Sequence, residues 1–113
     1  MKATELRIGN WAKRDVQPNG FQIDHHSFWS CEREPENYTP IPLTEQWLKD
    51  FGFKQDTNWL IKWSGELKFR MCVEDKNVWT YIYHDGYIEV DIKHVHQLQN
   101  LYFALTKKEL TKS

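Results

Sequence analysis

The chain has 113 residues and a formal net charge of −1, with 15 basic and 16 acidic side chains interspersed. A length of this order buries roughly two-thirds of the unfolded surface, enough for a single domain without metal or disulfide support. The charge balance lacks the basic excess on which duplex nucleic-acid binding rests, and no apolar run approaches the roughly 20 residues that span a bilayer.

The start, MKATELRIGN, turns polar at once and has no apolar export segment. Cys31 and Cys72 show no CxxC spacing, so each reads as a free thiol and the chain as a protein of the cytoplasm. The oddity is aromatic: 15% of residues, six of them tryptophan. Rings give a small core much burial per residue, and they also give planar ligands something to stack on. Composition leaves both uses open.

In ELRIGNWAKR, alternation at Leu6, Ile8 and Ala12 predicts a first strand with Gly9-Asn10 as a bend or bulge. QPNG reads as a turn and FQID as the returning strand, an N-terminal hairpin over residues 1–24. Residues 25–43 are rich in proline and charge and read as a long loop, carrying Trp29 and Arg33. PLTEQWLKDFGF is a short helix: Thr44 as N-cap, Glu45 at the positive helix end, and Trp47, Leu48 and Phe51 on the apolar side. Gly52 is its left-handed stop, with Phe53 packing back.

Strands follow. In WLIKW, a three-residue turn with Gly65 at its bulge position pairs Ile61 with Leu67 and Trp59 with Phe69 and turns the indoles inward, the preferred reading because burying a large side chain gains about 1.5–3 kcal/mol. A two-residue Ser64-Gly65 turn would put Trp59, Ile61 and Trp63 on the outer face beside Lys68 and Arg70. LKFRMCV alternates cleanly, with Leu67, Phe69, Met71 and Val73 inward and Lys68, Arg70 and Cys72 outward. An Asp75-Lys76-Asn77 loop then pairs Met71 with Tyr81, and an Asp85-Gly86 turn pairs Tyr83 with Ile88, making Trp79, Tyr81, Tyr83, Ile88, Val90 and Ile92 one apolar face. In HVHQLQNLYFAL, Val95, Leu98, Leu101 or Tyr102, and Leu105 recur at helical spacing, an apolar stripe able to cover that face. The architecture expected is α+β: an antiparallel sheet of about four to six strands, two helices on one face, and the N-terminal hairpin.

No metal quartet has standard spacing among the five histidines, and no cofactor motif, GxSxG elbow, HExxH or phosphate loop occurs. Catalysis rests on Cys72 beside Arg70, with His84 as the available base, two rows away. A planar-ligand site is better supplied. Two stacks at about 1–3 kcal/mol each and two charge-assisted hydrogen bonds at about 1.5–3, less the association cost, reach the roughly −8 kcal/mol of micromolar binding. Trp59, Trp63, Lys68 and Arg70 furnish it in the outward register, and Trp29 with Arg33 in either. Exposed Trp, Tyr and Arg equally mark protein interfaces. On the last helix, His96 and Asn100 are ligand candidates, while Gln97, Gln99 and Asn100 can instead satisfy backbone groups of a neighbouring loop.

LRIGN, IPLTEQWLKDFGF and VHQLQNLYFALTKKEL together resemble a family of small uncharacterised proteins carried by phages and conjugative elements of Bacteroides-type gut bacteria. The motifs lie near the start, middle and end, so the resemblance spans the chain. The family's end typically reads VHQLQNLYFALTGEEL; this chain departs at Lys107-Lys108, where Gly-Glu is usual. The resemblance implies a genetic context and supplies no catalytic residues. The functional expectation is a non-catalytic accessory protein of a mobile element that counters host defence by sequestering a nucleotide-derived signal, possible as a homo-oligomer. Direct inhibition of a host protein is the alternative, and a small enzyme the third.

Overall fold

The computed structural model describes residues 6–14, 17–24, 33, 38–75 and 77–112, without the side chains of 17–19. The fold is α+β. Strands β1 (Trp11–Arg14) and β2 (Gln17–Gln22) form a two-stranded sheet. Strands β3 (Lys54–Asp56), β4 (Trp59–Ser64), β5 (Leu67–Glu74), β6 (Asn77–Tyr83) and β7 (Tyr87–Val90) form a five-stranded antiparallel sheet in chain order. Helix α1 spans Glu45–Asp50 and α2 spans Val95–Thr106. No helix among the described residues is long and apolar enough to cross a membrane.

The chain divides into two compact units: the segment up to Pro42 with His94–Lys107, and Leu43–Lys93 with the segment from Lys108. In the first, the LRIGN motif is a tight turn that leads into β1. The Asn10 N–H donates to Arg7 O (3.0 Å) while Gly9 takes φ +98°, a conformation open to glycine. QPNG, expected as the hairpin turn, is instead part of β2, which begins at Gln17. Gly20 lies opposite the irregularity between Ala12 and Arg14, and a Cβ there would come within 2.8 Å of Ile41 Cδ1. Its glycine is set by packing and by φ +96°. Leu6, Ala12, Ile23 and Tyr38 are buried together, with Phe21 against them.

Helix α2 lies against β1. Its first turn is closed by Gln97, whose Oε1 accepts from the His94 backbone N–H at 3.0 Å. Its last turn ends on Lys107 in the left-handed region at φ +63°, with the Lys107 N–H donating to Phe103 O. That is the position where helices favour glycine.

In the second unit α1 forms as its punctuation predicts. Thr44 Oγ1 accepts from the Trp47 N–H, and the exit is a Schellman turn in which Gly52 N–H donates to Lys49 O and Phe53 N–H to Leu48 O, with Gly52 at φ +91°. Leu48, Phe51 and Phe53 are buried.

The sheet register departs from expectation at each turn. Ser64 pairs with Leu67 and Leu60 with Met71, so a two-residue Gly65-Glu66 turn, with Gly65 at φ +57°, joins β4 to β5. The preferred inward reading of Trp59, Ile61 and Trp63 is therefore overturned: Leu60 takes the core position and the indoles take the outer face. Glu74 pairs with Asn77 and Met71 with Thr80, not Tyr81, and the left-handed residue is Asp75 at φ +57°. Tyr83 pairs with Tyr87 across a three-residue His84–Gly86 loop, so Ile82 faces Ile88 and Tyr81 faces Glu89. The three changes have one cause. Phe69 and Met71 are fully buried, and side-chain alternation hands the same parity to Leu60, Thr80 and Ile82. Tyr81 and Tyr83, expected inward, lie on the opposite face, where their phenol groups stay half-exposed.

The inward parity leaves Thr80 Oγ1 buried without a hydrogen-bond partner among the described residues. Thr80→Val keeps the shape and removes the unsatisfied hydroxyl, so it raises stability by about 1 kcal/mol in denaturant unfolding. In the expected register, with Thr80 outward, the change would be neutral or destabilising. Lys107→Gly relieves the left-handed backbone and raises stability by about 1 kcal/mol, read in the same way.

Candidate functional site

The outer face of the five-stranded sheet collects what the register turns away from the core. Pairing places Trp63, Lys68, Tyr83 and Tyr87 in one row across β4 to β7, and Ile61, Arg70, Tyr81 and Glu89 in the next. Trp59, Cys72 and Trp79 follow in a third, with Cys72 directly opposite Trp79. Rings and cations interleave. Lys68 Nζ lies over the rings of Trp63 (5.6 Å) and Tyr83 (5.5 Å), and the Arg70 guanidinium lies 4.0 Å from the Trp59 ring centroid. Arg70 also donates to the Tyr83 hydroxyl at 3.2 Å. Tyr81 and Tyr83 each meet Tyr87 at centroid distances below 6 Å.

Lys68 and Arg70 are thus held by ring faces, and neither has a carboxylate partner among the described residues. A cation seated on a ring face is held by the ring quadrupole and loses mobility. Trp63 is 61% exposed and Tyr87 66% exposed, so their rings remain open to stacking. Beside Trp63, where the short β3 ends, an opening of about 480 Å³ is lined by Lys54, Lys62, Ile61 and Trp63, with Asp56 as its acidic member. That volume falls within the roughly 300–1,000 Å³ of small-molecule sites.

Of the sequence-derived candidates, Trp59, Trp63, Lys68 and Arg70 come together on this face. Tyr81, Tyr83 and Tyr87 join them: the expected turn lengths put Tyr81 and Tyr83 inward, while Tyr87 is expected on the outer face but not as a site residue. Arg33 is exposed; Trp29 lies outside the described residues, as do His25, His26 and Cys31. His96 and Asn100 are in the other unit and serve internal contacts. His96 is buried and its ring stacks on His94 at 6.0 Å. Asn100 Oδ1 accepts from Arg7 Nε (2.8 Å) and from Asn10 Nδ2 (2.9 Å). Gln99, fully buried, accepts from the Trp11 N–H at 2.8 Å and donates to Gly9 O at 3.2 Å. Gln99 therefore closes the backbone at Gly9 and the start of β1, and Asn100 ties down the Arg7 and Asn10 side chains. Arg7 completes the closure by donating to Gln99 O and covering the Phe103 ring at 4.3 Å.

Cys72 is the candidate nucleophile. Burial first, then the negative charges of Glu74 and Glu45, push its thiol above the ordinary range, which works against thiolate chemistry. His84 is occupied at 3.3 Å with Glu66 at the end of the β6–β7 loop. Among the described residues no group of three or more His, Cys, Asp or Glu side chains could hold a metal ion. No family model, curated protein or solved structure matches the chain.

The raised Cys72 value has a direct readout. The protonated thiol is favoured in the fold, so the thiolate fraction at neutral pH is lower than for an ordinary cysteine. Iodoacetamide labelling of the peptide carrying Cys72, followed by mass spectrometry from about pH 7 to 10, should show slower alkylation than a free thiol, rising steeply only above the usual thiol pKa near 8.5. Labelling that levels off at or below neutral pH would contradict this assignment.

Proposed function

We propose that this protein is a non-catalytic binding protein whose outer sheet face takes a planar anionic ligand, a nucleotide or nucleotide-derived signal. The supporting observation is that Lys68 and Arg70 rest on Trp59, Trp63 and Tyr83 without a carboxylate to neutralise them. A base stacks on the open Trp63 ring, and its phosphate meets Lys68 and Arg70, with the Lys54 ammonium at the β3 edge of the same face; Tyr87, three strands across, offers a second ring. Stacking is indifferent to which base is present, so phosphate geometry sets the selectivity. The resemblance to phage and conjugative-element proteins fits a role in the host bacterial cytoplasm, where removing such a signal would blunt a defence response.

A second reading is direct inhibition of a host protein. It is favoured by one feature, the edge strand β7, which exposes Tyr87 on one face and Ile88 (58% exposed) on the other. Large exposed side chains on an unpaired strand edge suit strand addition and aromatic hot spots.

Calorimetry and thermal shift with a panel of cyclic and linear nucleotides separate the readings. On the first, at least one nucleotide binds, Trp63→Ala weakens it about tenfold or more, and Lys68→Ala with Arg70→Ala removes the preference for phosphorylated over unphosphorylated ligand. Trp63 is exposed, so its removal should change stability by no more than about 0.5 kcal/mol. A panel that produces neither heat nor a shift in melting temperature rejects the first reading.

A further inference from the structure

The outer face changes sign toward the end where β5 and β6 meet their connecting turn. There Trp59, Trp79 and Tyr81 line an opening of about 600 Å³, with Cys72 among them and Glu45 and Glu74 also in its lining. The Trp59 and Tyr81 rings stand edge to face, centroids 5.7 Å apart at 63°. Their planes therefore form a corner rather than a flat stack. All three rings are half-buried, which restrains them and leaves surface to offer a ligand. Glu45 and Glu74 are exposed and have neither an ion pair nor a hydrogen bond among the described residues. Both charges are felt at the Cys72 thiol, which they push in the same direction as burial does.

Ring faces are the negative side of the aromatic quadrupole. Walls of that kind, with two uncompensated carboxylates, attract cations and repel phosphate. Gln55 and Asn58 also line the opening, and a compact, strongly hydrated ion gains little from ring faces, which cannot replace its water. An ammonium whose charge is spread over methyl groups gains ring contact, apolar burial and counter-charge together. We propose that the Trp59–Trp79–Tyr81 opening is a binding site for a methylated ammonium group, with Glu45 and Glu74 as its counter-charge. The site adjoins the Lys68–Arg70 region and shares Trp59 with it, the Arg70 guanidinium lying 4.0 Å from that ring centroid; the carboxylates at the Trp79 end take it beyond the nucleotide reading.

The test is a titration with choline and with its neutral carbon isostere, 3,3-dimethylbutan-1-ol, following the indole N–H signals by NMR. Choline at millimolar concentration should shift the Trp59 and Trp79 signals saturably, with the isostere weaker by about fivefold or more. In the Glu45→Gln/Glu74→Gln double variant, whose positions are exposed and whose fold is checked by its NMR spectrum, choline should weaken by about threefold or more. Binding of the isostere should not change. The proposal is overturned by the absence of a saturable shift at Trp59 and Trp79, by equal binding of the two ligands, or by a double variant that holds choline as tightly as the parent. Nucleotide binding is read at Trp63 and through Lys68 and Arg70, so failure of either site leaves the other separately measurable.

Discussion

Phe69 and Met71 are the pivot of the larger sheet. Both are fully buried on β5, and a strand that buries alternate residues commits its neighbours to the same parity through every turn. A slip of one residue at any connection would exchange the two faces of everything beyond it. The register that results puts Leu60, Thr80 and Ile82 with Phe69 and Met71, at the expense of one buried hydroxyl. It turns Trp59, Trp63, Tyr81 and Tyr83 outward beside Lys68 and Arg70. The ring-and-cation face is thus a by-product of core parity: which rings stay exposed is decided on the other side of the sheet.

What was legible in the residues follows the range of the forces involved. Helix α1 was readable from Thr44 to Phe53 because each cap is made by residues within six positions of its partner. The alternation of β5 was readable because its apolar and charged residues do not overlap in parity. Strand β4 was not, since Trp59, Leu60 and Ile61 are apolar at both parities and its face had to be chosen by Met71 and Phe69. The turns failed for a related reason. Asp75-Lys76-Asn77 and His84-Asp85-Gly86 each hold two residues that tolerate positive φ, and Gly65 can be the first or the second residue of its turn, so local chemistry admits several loop lengths. The structure brings Trp59, Trp63, Lys68 and Arg70 together on the outer face, in the register that the residues alone ranked second.

The face itself is divided in charge. At one end cations lie on rings with no carboxylate paired to them among the described residues; at the other, rings form a corner and the nearby charges are carboxylates. The aromatic residues are common to both ends, and the flanking charges decide what each end attracts. Ring-rich surfaces are often treated as generic adhesive patches, yet here Arg70 covers Trp59 and bonds to Tyr83 while Glu74 lies two residues beyond Cys72 on the same strand. Selectivity on such a surface is a matter of a few ångströms along a strand.

The closure of Gly9, Asn10 and Trp11 by Gln99 and Asn100 joins groups about 90 positions apart. During synthesis the hairpin leaves the ribosome long before the helix that satisfies its buried Asn10 side chain exists. Chain growth at about 5–20 residues per second leaves that edge without its partner for several seconds. The first unit therefore waits for His94–Lys107, although its strands are the first to be made. A nascent chain interrupted before Gln99 would present an open strand and unsatisfied amides to the quality-control machinery of the cell.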